Sequence, residues 1–309
     1  MRAMADLLAI VGPTAAGKTD LAIDLARLVD GEIVSVDSAQ IFVGLDIGTA
    51  KPPPSVLATT RHHVVDVVPP DVQWSAADYV RAADAAIADI RARGKTPILC
   101  GGTGLWMRAL VNGIFEAPPI EPAIRDAVRA ELETRGPEAM HAELMACDPV
   151  AAGRIQSRDP QRIGRALEVF RQTGTPISTF QAQHGFQERR YRLLGAAPRW
   201  LRADLAVRIE RRVQAMYAGG LIEEVERCLA AGLRRDAPGL SIIGYRDVVA
   251  MLDGKLSREE AERTTATATR RYAKRQENWF NHEPEVEWVD PSLPADVLVA
   301  RLQSRIRTG

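Results

Sequence analysis

Gly12-Pro13-Thr14-Ala15-Ala16-Gly17-Lys18-Thr19 follows the apolar run Leu7-Leu8-Ala9-Ile10-Val11 and precedes a segment with Leu21, Ala22, Leu25, Leu28 and Val29 at helical spacing. A G-x-x-x-x-G-K-T octapeptide between a buried strand and a helix reads as a phosphate-binding loop, or P-loop. Its two glycines let the backbone curl. Successive N–H groups and the helix N-terminus then converge on an anion. Lys18 adds a mobile positive charge, and the Thr19 hydroxyl is suited to ligating Mg²⁺. The motif asks for a phosphate chain and leaves open whether that chain belongs to ATP.

Outward from the loop, Glu32-Ile33-Val34-Ser35-Val36 reads as a second strand running into Asp37-Ser38-Ala39-Gln40. Ligands of open parallel sheets bind beyond the carboxyl ends of the strands. Asp37 is therefore expected near the phosphate loop, with a helix-capping or turn aspartate as the alternative. Asp46-Ile47-Gly48-Thr49-Ala50-Lys51-Pro52 follows as a loop, kept extended by Pro52 to Pro54. His62 to Val68 is expected to be a third strand. Its adjacent histidines would point to opposite faces, poorly placed to share a metal. Ser75 to Arg93 reads as a helix with Ser75 as N-cap and Gly94 as stop. Thr96 to Cys100 is the next buried strand, opening into Gly101-Gly102-Thr103-Gly104. Glycines there either admit a ligand to the backbone or allow a tight strand-to-helix connection.

The chain has 309 residues, 46% of them hydrophobic and 26% charged, with 40 Lys and Arg against 40 Asp and Glu. It can bury a large core, and one domain plus an insertion is the natural size class. A net charge of zero excludes a protein that is basic all over, so any nucleic-acid site is a local patch. Cys100, Cys147 and Cys228 form no metal pattern and suit a reducing compartment. The first apolar run is too short for a signal peptide or a membrane span. A cytoplasmic protein without membrane contact is expected.

Composition changes at Glu116-Ala117-Pro118-Pro119-Ile120-Glu121-Pro122. From Glu121 to Phe180 the periodicity is helical, with Ile124, Val128 and Leu132 on one face and Ile163, Ala166, Leu167 and Phe170 inward on another helix. Tyr191 to Ala196 reads as a strand returning to the sheet. Residues 117–189 are thus expected to be an all-helical insertion in a core of residues 1–116 and 190–309.

Two stretches are locally basic. Arg154, Arg158, Arg162, Arg165 and Arg171 face only Asp159 and Glu168 within their own window. A solvated face with i,i+4 pairs would be better balanced, which favours an anionic partner. A helix from Ser257 to Phe280 places Arg263, Arg270 and Lys274 on one face with Arg271 and Arg275 beside it, and ends in Trp279-Phe280. That pattern suits phosphate contact and base stacking. A surface helix with Trp279 in the core fits it equally well.

Further motifs lie in order along the chain: Gly101-Gly102-Thr103-Gly104-Leu105, Asp159-Pro160-Gln161-Arg162, Arg165-Ala166-Leu167-Glu168, Ile243-Gly244-Tyr245-Arg246 and Lys274-Arg275-Gln276. With the phosphate loop, Asp37 to Gln40 and Asp46 to Pro52, they resemble the bacterial tRNA dimethylallyltransferases, also called tRNA isopentenyl diphosphate transferases. The resemblance covers nearly the whole chain. It implies an α/β fold: a P-loop NTPase-like parallel sheet flanked by helices, with the helical insertion gripping the tRNA anticodon stem-loop. It implies transfer of a dimethylallyl group from dimethylallyl diphosphate to N6 of the adenosine 3′-adjacent to the anticodon. The anion in the loop would be the donor's diphosphate, held by Gly12, Pro13, Thr14, Ala15, Ala16, Gly17, Lys18 and Thr19, with Mg²⁺ on Thr19. Arg208, in the segment Arg208-Ile209-Glu210-Arg211-Arg212, would help hold it. Asp37 would be the general base, and Thr103 would contact the adenosine or the donor. By the same resemblance tRNA contacts fall on Asp37, Ser38, Ala39, Gln40, Thr103, Arg125, Gln161, Arg162, Ile163, Gly164, Arg165, Arg246, Lys274 and Arg275. A monomer is expected.

The sequence departs from the family pattern at four positions. Phe42 and Trp106 stand where tyrosine is frequent, and Asn278 and Asn281 where threonine and arginine are common. The zinc finger of eukaryotic relatives has no ligand spacing here. Three other readings share parts of the pattern. A P-loop small-molecule kinase would use the insertion as an arginine-bearing lid, but leaves the basic helix at Ala261 to Asn281 without a purpose. An isopentenyltransferase acting on free adenylate needs no RNA grip. A nucleotide-regulated RNA-binding module has no need of Asp37 as a base.

Overall fold

Short, largely apolar runs form the inner strands, as a sheet buried on both faces requires. The structure is a computed structural model describing residues 6–113, 119–184 and 189–307. The chain divides into two compact units, Met1–Val111 with Arg190–Gly309, and Asn112–Arg189. Of the composition break at residues 116–122, residues 116–118 lie outside the described residues.

The first unit carries β1 (Asp6–Val11), β2 (Gly31–Val36), β3 (His62–His63), β4 (Thr96–Gly101), β5 (Arg192–Pro198) and β6 (Val286–Val289). They form one parallel sheet in the order β3-β2-β4-β1-β5-β6. Ile10, Ile33, Ile98 and Leu194 pack with Ala22, Leu25 and Ala26 of the helix Lys18–Leu28 and with Leu298 and Leu302 of the last helix. The helix Ala76–Ala92 buries Tyr79, Ala83, Ile87 and Ile90, and Ser75 caps it by accepting from the Asp78 N–H. The sheet resumes at a closely tied point: Arg190 N–H donates to the Val111 carbonyl at 2.8 Å, and Tyr191 Oη donates to Asp84 at 2.8 Å.

The strand expected over His62 to Val68 is only two residues long. Val64 and Asp66 have φ of 61° and 53°, a left-handed conformation that no extended strand contains. Pairing resumes at one bridge, Phe42 with Val68. The two histidines do have separate partners, His62 Nδ1 at the Thr60 carbonyl and His63 Nε2 at Glu32 Oε2, both at 2.7 Å.

The second unit is helical: Pro122–Cys147, Pro149–Ala152, Pro160–Thr173 and Ile177–His184. The first is broken at Gly136 (φ 78°) ahead of Pro137. Its core joins Val128, Met140, Leu144, Ile163, Ala166 and Leu167. The arginine surplus is smaller than the sequence window implied. Arg171 bonds Glu131 and Glu143, both at 2.7 Å, and Arg158 bonds Glu138 at 2.8 Å. These carboxylates come from the preceding helix, outside the window counted, so much of that charge is used inside the unit.

At the amino end of β2, buried Glu32 accepts two bonds from the Arg93 guanidinium and one contact from His63. The Arg93 bonds chiefly hold its carboxyl at about 2, well below its usual 4.5. A depressed acid stabilises fully above its unfolded pKa and loses that contribution as pH falls through the folded one. Glu32→Gln is therefore expected to lower the melting temperature by several degrees near neutral pH. It should also flatten the fall in melting temperature between pH 4.5 and about 2, as followed by circular dichroism.

Candidate active site at the carboxyl edge of the sheet

Val11 pairs with Gly101, and Gly101 with Val36. Three neighbouring strands therefore end at one level. The residues that follow them, Gly12, Gly102-Thr103 and Asp37, emerge side by side because β4 lies between β1 and β2. The glycines of the middle turn make room for protein rather than for a ligand. A Cβ on Gly101 would lie 2.2 Å from the Val36 carbonyl oxygen, one on Gly102 2.0 Å from Gln276, and one on Gly104 2.2 Å from Trp279. The tight-connection reading is the right one for this turn.

The phosphate-binding loop is held from several sides. Gly12, Ala15 and Gly17 have φ of 124°, 63° and 84°. Thr14 N–H donates to Gln276 Oε1 at 2.8 Å, and Arg212 donates to Thr14 Oγ1 at 3.2 Å. Arg208 Nε donates to the Ala15 carbonyl at 2.8 Å and Trp200 Nε1 to the Ala16 carbonyl at 3.0 Å. Lys18 Nζ donates to the Pro13 carbonyl at 2.7 Å. The helix Lys18–Leu28 starts at Gly17 with no side-chain cap, so its first N–H groups are not consumed by one. Burial pushes the Lys18 ammonium down to about 8, with Cys100 and Asp37 pulling it up. Burial likewise lowers Arg212, opposed by Asp37. Lys18, Arg208 and Arg212 thus concentrate positive charge on the loop, with Asp37 beside it.

Asp37 Oδ1 accepts the Ala39 N–H at 2.9 Å. The aspartate so makes its own turn while standing at the loop. Ser38 N–H donates to Thr103 Oγ1 at 3.0 Å, which joins the two turns. Gln40 accepts from Ser35 Oγ at 3.1 Å and donates to the Ala50 carbonyl at 3.2 Å. That carbonyl belongs to the Asp46 to Pro52 loop, which is pinned from below. Buried Glu224 accepts the N–H groups of Asp46 and Ile47 at 3.0 and 3.1 Å, and the Tyr245 hydroxyl at 2.5 Å. Tyr245 in turn accepts from Gly48 N–H at 3.1 Å. Two motifs far apart in sequence therefore meet to brace the segment Asp37 to Gln40.

Arg246, Lys274 and Arg275 are exposed, Arg246 3.8 Å from Asp247 and Arg275 over the Tyr272 ring. In the second unit Gln161 and Arg162 are exposed, and Arg125 and Arg165 half-buried. Ile163 is fully buried, and a Cβ on Gly164 would lie 3.1 Å from Leu132. These two build the unit's core and present no side chain to a partner. The aromatic end of the helix Arg258–Phe280 also turns inward: Phe280 is buried, and Trp279 packs on Gly104 under the Arg108 guanidinium at 4.4 Å. Sequence reasoning missed Gln276, Arg212, Trp200 and Tyr272, which lies against Thr103 and Gln276. Gln276 carries a signal in the Lys274-Arg275-Gln276 motif, on the buried side opposite the charged face.

The family model described as "IPP transferase" matches residues 40–283. The tRNA dimethylallyltransferase of Anaeromyxobacter dehalogenans (strain 2CP-C) is 47% identical over 301 residues, 97% of this chain and 99% of that protein. The chain belongs to the tRNA dimethylallyltransferase family. Members of this family are prenyltransferase enzymes. The tRNA dimethylallyltransferase 2 of Geotalea uraniireducens is 47% identical, over 92% of each chain. The crystal structure of the tRNA isopentenylpyrophosphate transferase from Bacillus halodurans superimposes with a TM-score of 0.70 at 34% identity, covering 98% of each chain. A eukaryotic dimethylallyltransferase shares the fold with a TM-score of 0.81 at 24% identity, covering 98% of this chain and 80% of that one.

In this member of the tRNA dimethylallyltransferase family burial pushes Lys18 low enough for its charge to be expected to change in an accessible pH range. Sulfate keeps its charge there, so any change in its binding with pH comes from the protein's own groups. Affinity for sulfate is expected to fall as pH rises through about 8, by up to about ten-fold per pH unit. Lys18→Arg, which stays charged, should bind with no such pH dependence. Isothermal titration calorimetry checks both.

Proposed function

We propose that the protein transfers the dimethylallyl group of dimethylallyl diphosphate to N6 of the adenosine 3′-adjacent to the anticodon in tRNA, releasing diphosphate. The observation that supports this most directly is the placement of Asp37 and Thr103 beside a positively charged phosphate-binding loop on adjacent strands. In the reaction the C–O bond to diphosphate breaks, an N6–C bond forms, and the N6 proton leaves. Departure of diphosphate must be neutralised, which Lys18, Arg208 and the loop N–H groups do electrostatically. The adenine amino group is a weak nucleophile because its lone pair is delocalised. Asp37, its orientation set by the Ala39 N–H, takes the proton. General-base help of this kind is worth about 10²–10⁴-fold.

The residues present fit Mg²⁺. Thr19 offers a hydroxyl oxygen donor beside the loop, and no cluster of three His, Cys, Asp or Glu suited to another metal occurs among the described residues. Mg²⁺ is usually held by one or two protein oxygens plus substrate phosphates and water. When bound, it would offset charge on the diphosphate. An adenine stacked in RNA cannot reach this edge, so the base must be extruded. Arg246, Lys274 and Arg275 of the first unit, and Arg125, Gln161, Arg162 and Arg165 of the second, are the proposed tRNA contacts. The second unit would grip the anticodon stem-loop. No helix among the described residues is long and apolar enough to cross a membrane, and we place the enzyme in the cytoplasm as a monomer.

Nucleoside mass spectrometry of unmodified tRNA incubated with the protein, Mg²⁺ and dimethylallyl diphosphate tests the reading. One dimethylallyl group on adenosine is expected. Unchanged tRNA, with ATP consumed in a parallel reaction, would favour the kinase. Asp37→Asn should lower turnover by about 10²–10⁴-fold and leave tRNA affinity unchanged; survival of activity would remove Asp37 as the base.

A further inference from the structure

We propose that Trp200 is a positioning residue for the donor's diphosphate, acting through the backbone of the phosphate-binding loop. The inference rests on the reading of that loop as the diphosphate site. Trp200 follows the end of β5, outside every motif that drew attention in the sequence. It is half-buried. Its indole N–H donates to the Ala16 carbonyl at 3.0 Å, and its ring carries the Arg208 guanidinium at 4.3 Å. Arg208 in turn donates to the Ala15 carbonyl at 2.8 Å. One indole therefore controls two consecutive peptide units, one directly and one through the cation stacked on it.

The orientation of those peptides is what an anion senses. In a planar trans peptide the carbonyl and the following N–H point in opposite directions, and the described residues contain no cis peptide bond. With the Ala15 and Ala16 carbonyls turned toward Arg208 and Trp200, the N–H groups of Ala16 and Gly17 are turned the other way. The same relation is visible earlier in the loop. The Pro13 carbonyl faces Lys18 Nζ at 2.7 Å while the following Thr14 N–H reaches Gln276 at 2.8 Å. Thr14 N–H is thus used within the protein. The N–H groups of Ala16 and Gly17 make no well-aligned hydrogen bond within the protein among the described residues, the turn at Thr14-Ala15 bringing the Ala16 N–H only loosely toward the Pro13 carbonyl. Two adjacent free N–H groups on one side of a curled loop form an anion-binding nest.

The arrangement needs holding. Ala15 has φ 63°, a conformation that is strained for a residue with a side chain and persists only where its surroundings impose it. Loss of the Trp200 N–H frees the Ala16 carbonyl to turn. A carbonyl swung toward the diphosphate would repel it.

The test compares the native chain with Trp200→Phe, which keeps a ring beneath Arg208 but lacks the N–H, and Trp200→Leu, which lacks both. Binding of inorganic diphosphate is measured by calorimetry, and KM separately for dimethylallyl diphosphate and tRNA. One lost hydrogen bond predicts diphosphate binding weaker by about 3–10-fold in Trp200→Phe, and weaker still in Trp200→Leu. KM for the donor should rise in parallel while KM for tRNA stays unchanged. Native affinity for diphosphate in both variants would overturn the proposal, as would an equal rise in both KM values, which marks a general loss of structure. If the native chain itself binds no diphosphate, the reading of the loop fails and this inference falls with it.

Discussion

The amide of Gln276 ties the two turns of the site together. Its Oε1 takes the Thr14 N–H at 2.8 Å and its Nε2 donates to the Gly102 carbonyl at 2.9 Å. Backbone groups in a closed site must find partners, and a carboxamide is the side chain that offers an acceptor and a donor at once. The cost is space: Gly102 has no room for a Cβ because Gln276 occupies it. The helix Arg258–Phe280 is thereby a strut, clamped by Gln276 to the loops and by buried Phe280 to the core.

The same logic recurs one layer out. Glu224 and Tyr245 hold the Asp46 to Pro52 loop through its N–H groups. Lys51 closes it from within, donating to the Phe42 carbonyl at 2.6 Å and to Asp46 at 2.7 Å. Gln40 links that loop to the turn bearing Asp37. The carboxyl edge of the sheet is thus carried on backbone hydrogen bonds anchored by buried polar side chains. Preorganised dipoles of this kind do not have to reorganise when charge develops.

Electrostatics divides the arginines into two kinds. Arg93, Arg158, Arg171 and Arg190 are engaged by carboxylates of the protein itself. Arg208 and Arg212 bond to a backbone carbonyl and a hydroxyl of the phosphate loop, with Asp37 acting on Arg212 through space rather than through a described ion pair. Counting residues along the chain could not separate the two kinds. Glu131 and Glu143 reach Arg171 only because the helices of the second unit pack.

By itself the sequence determined what depends on neighbours in the chain. The phosphate loop, the strand ends, the Ser75 cap and the helical character of the second unit all follow from spacing, glycine placement and local hydrogen bonding. The position of Asp37 was legible as well, because parallel strands deliver their carboxyl ends to one edge, while Thr103 was picked out only through the family resemblance. Tertiary structure decided the rest. It cut the third strand to two residues through left-handed backbone at Val64 and Asp66. It turned Phe280 into the core, and gave Ile163 and Gly164 to packing. It brought Gln276 to Thr14 across 262 positions and Trp200 to Ala16 across 184. Such contacts leave no periodicity in the sequence, since their geometry exists only once the sheet has set which strand ends lie side by side.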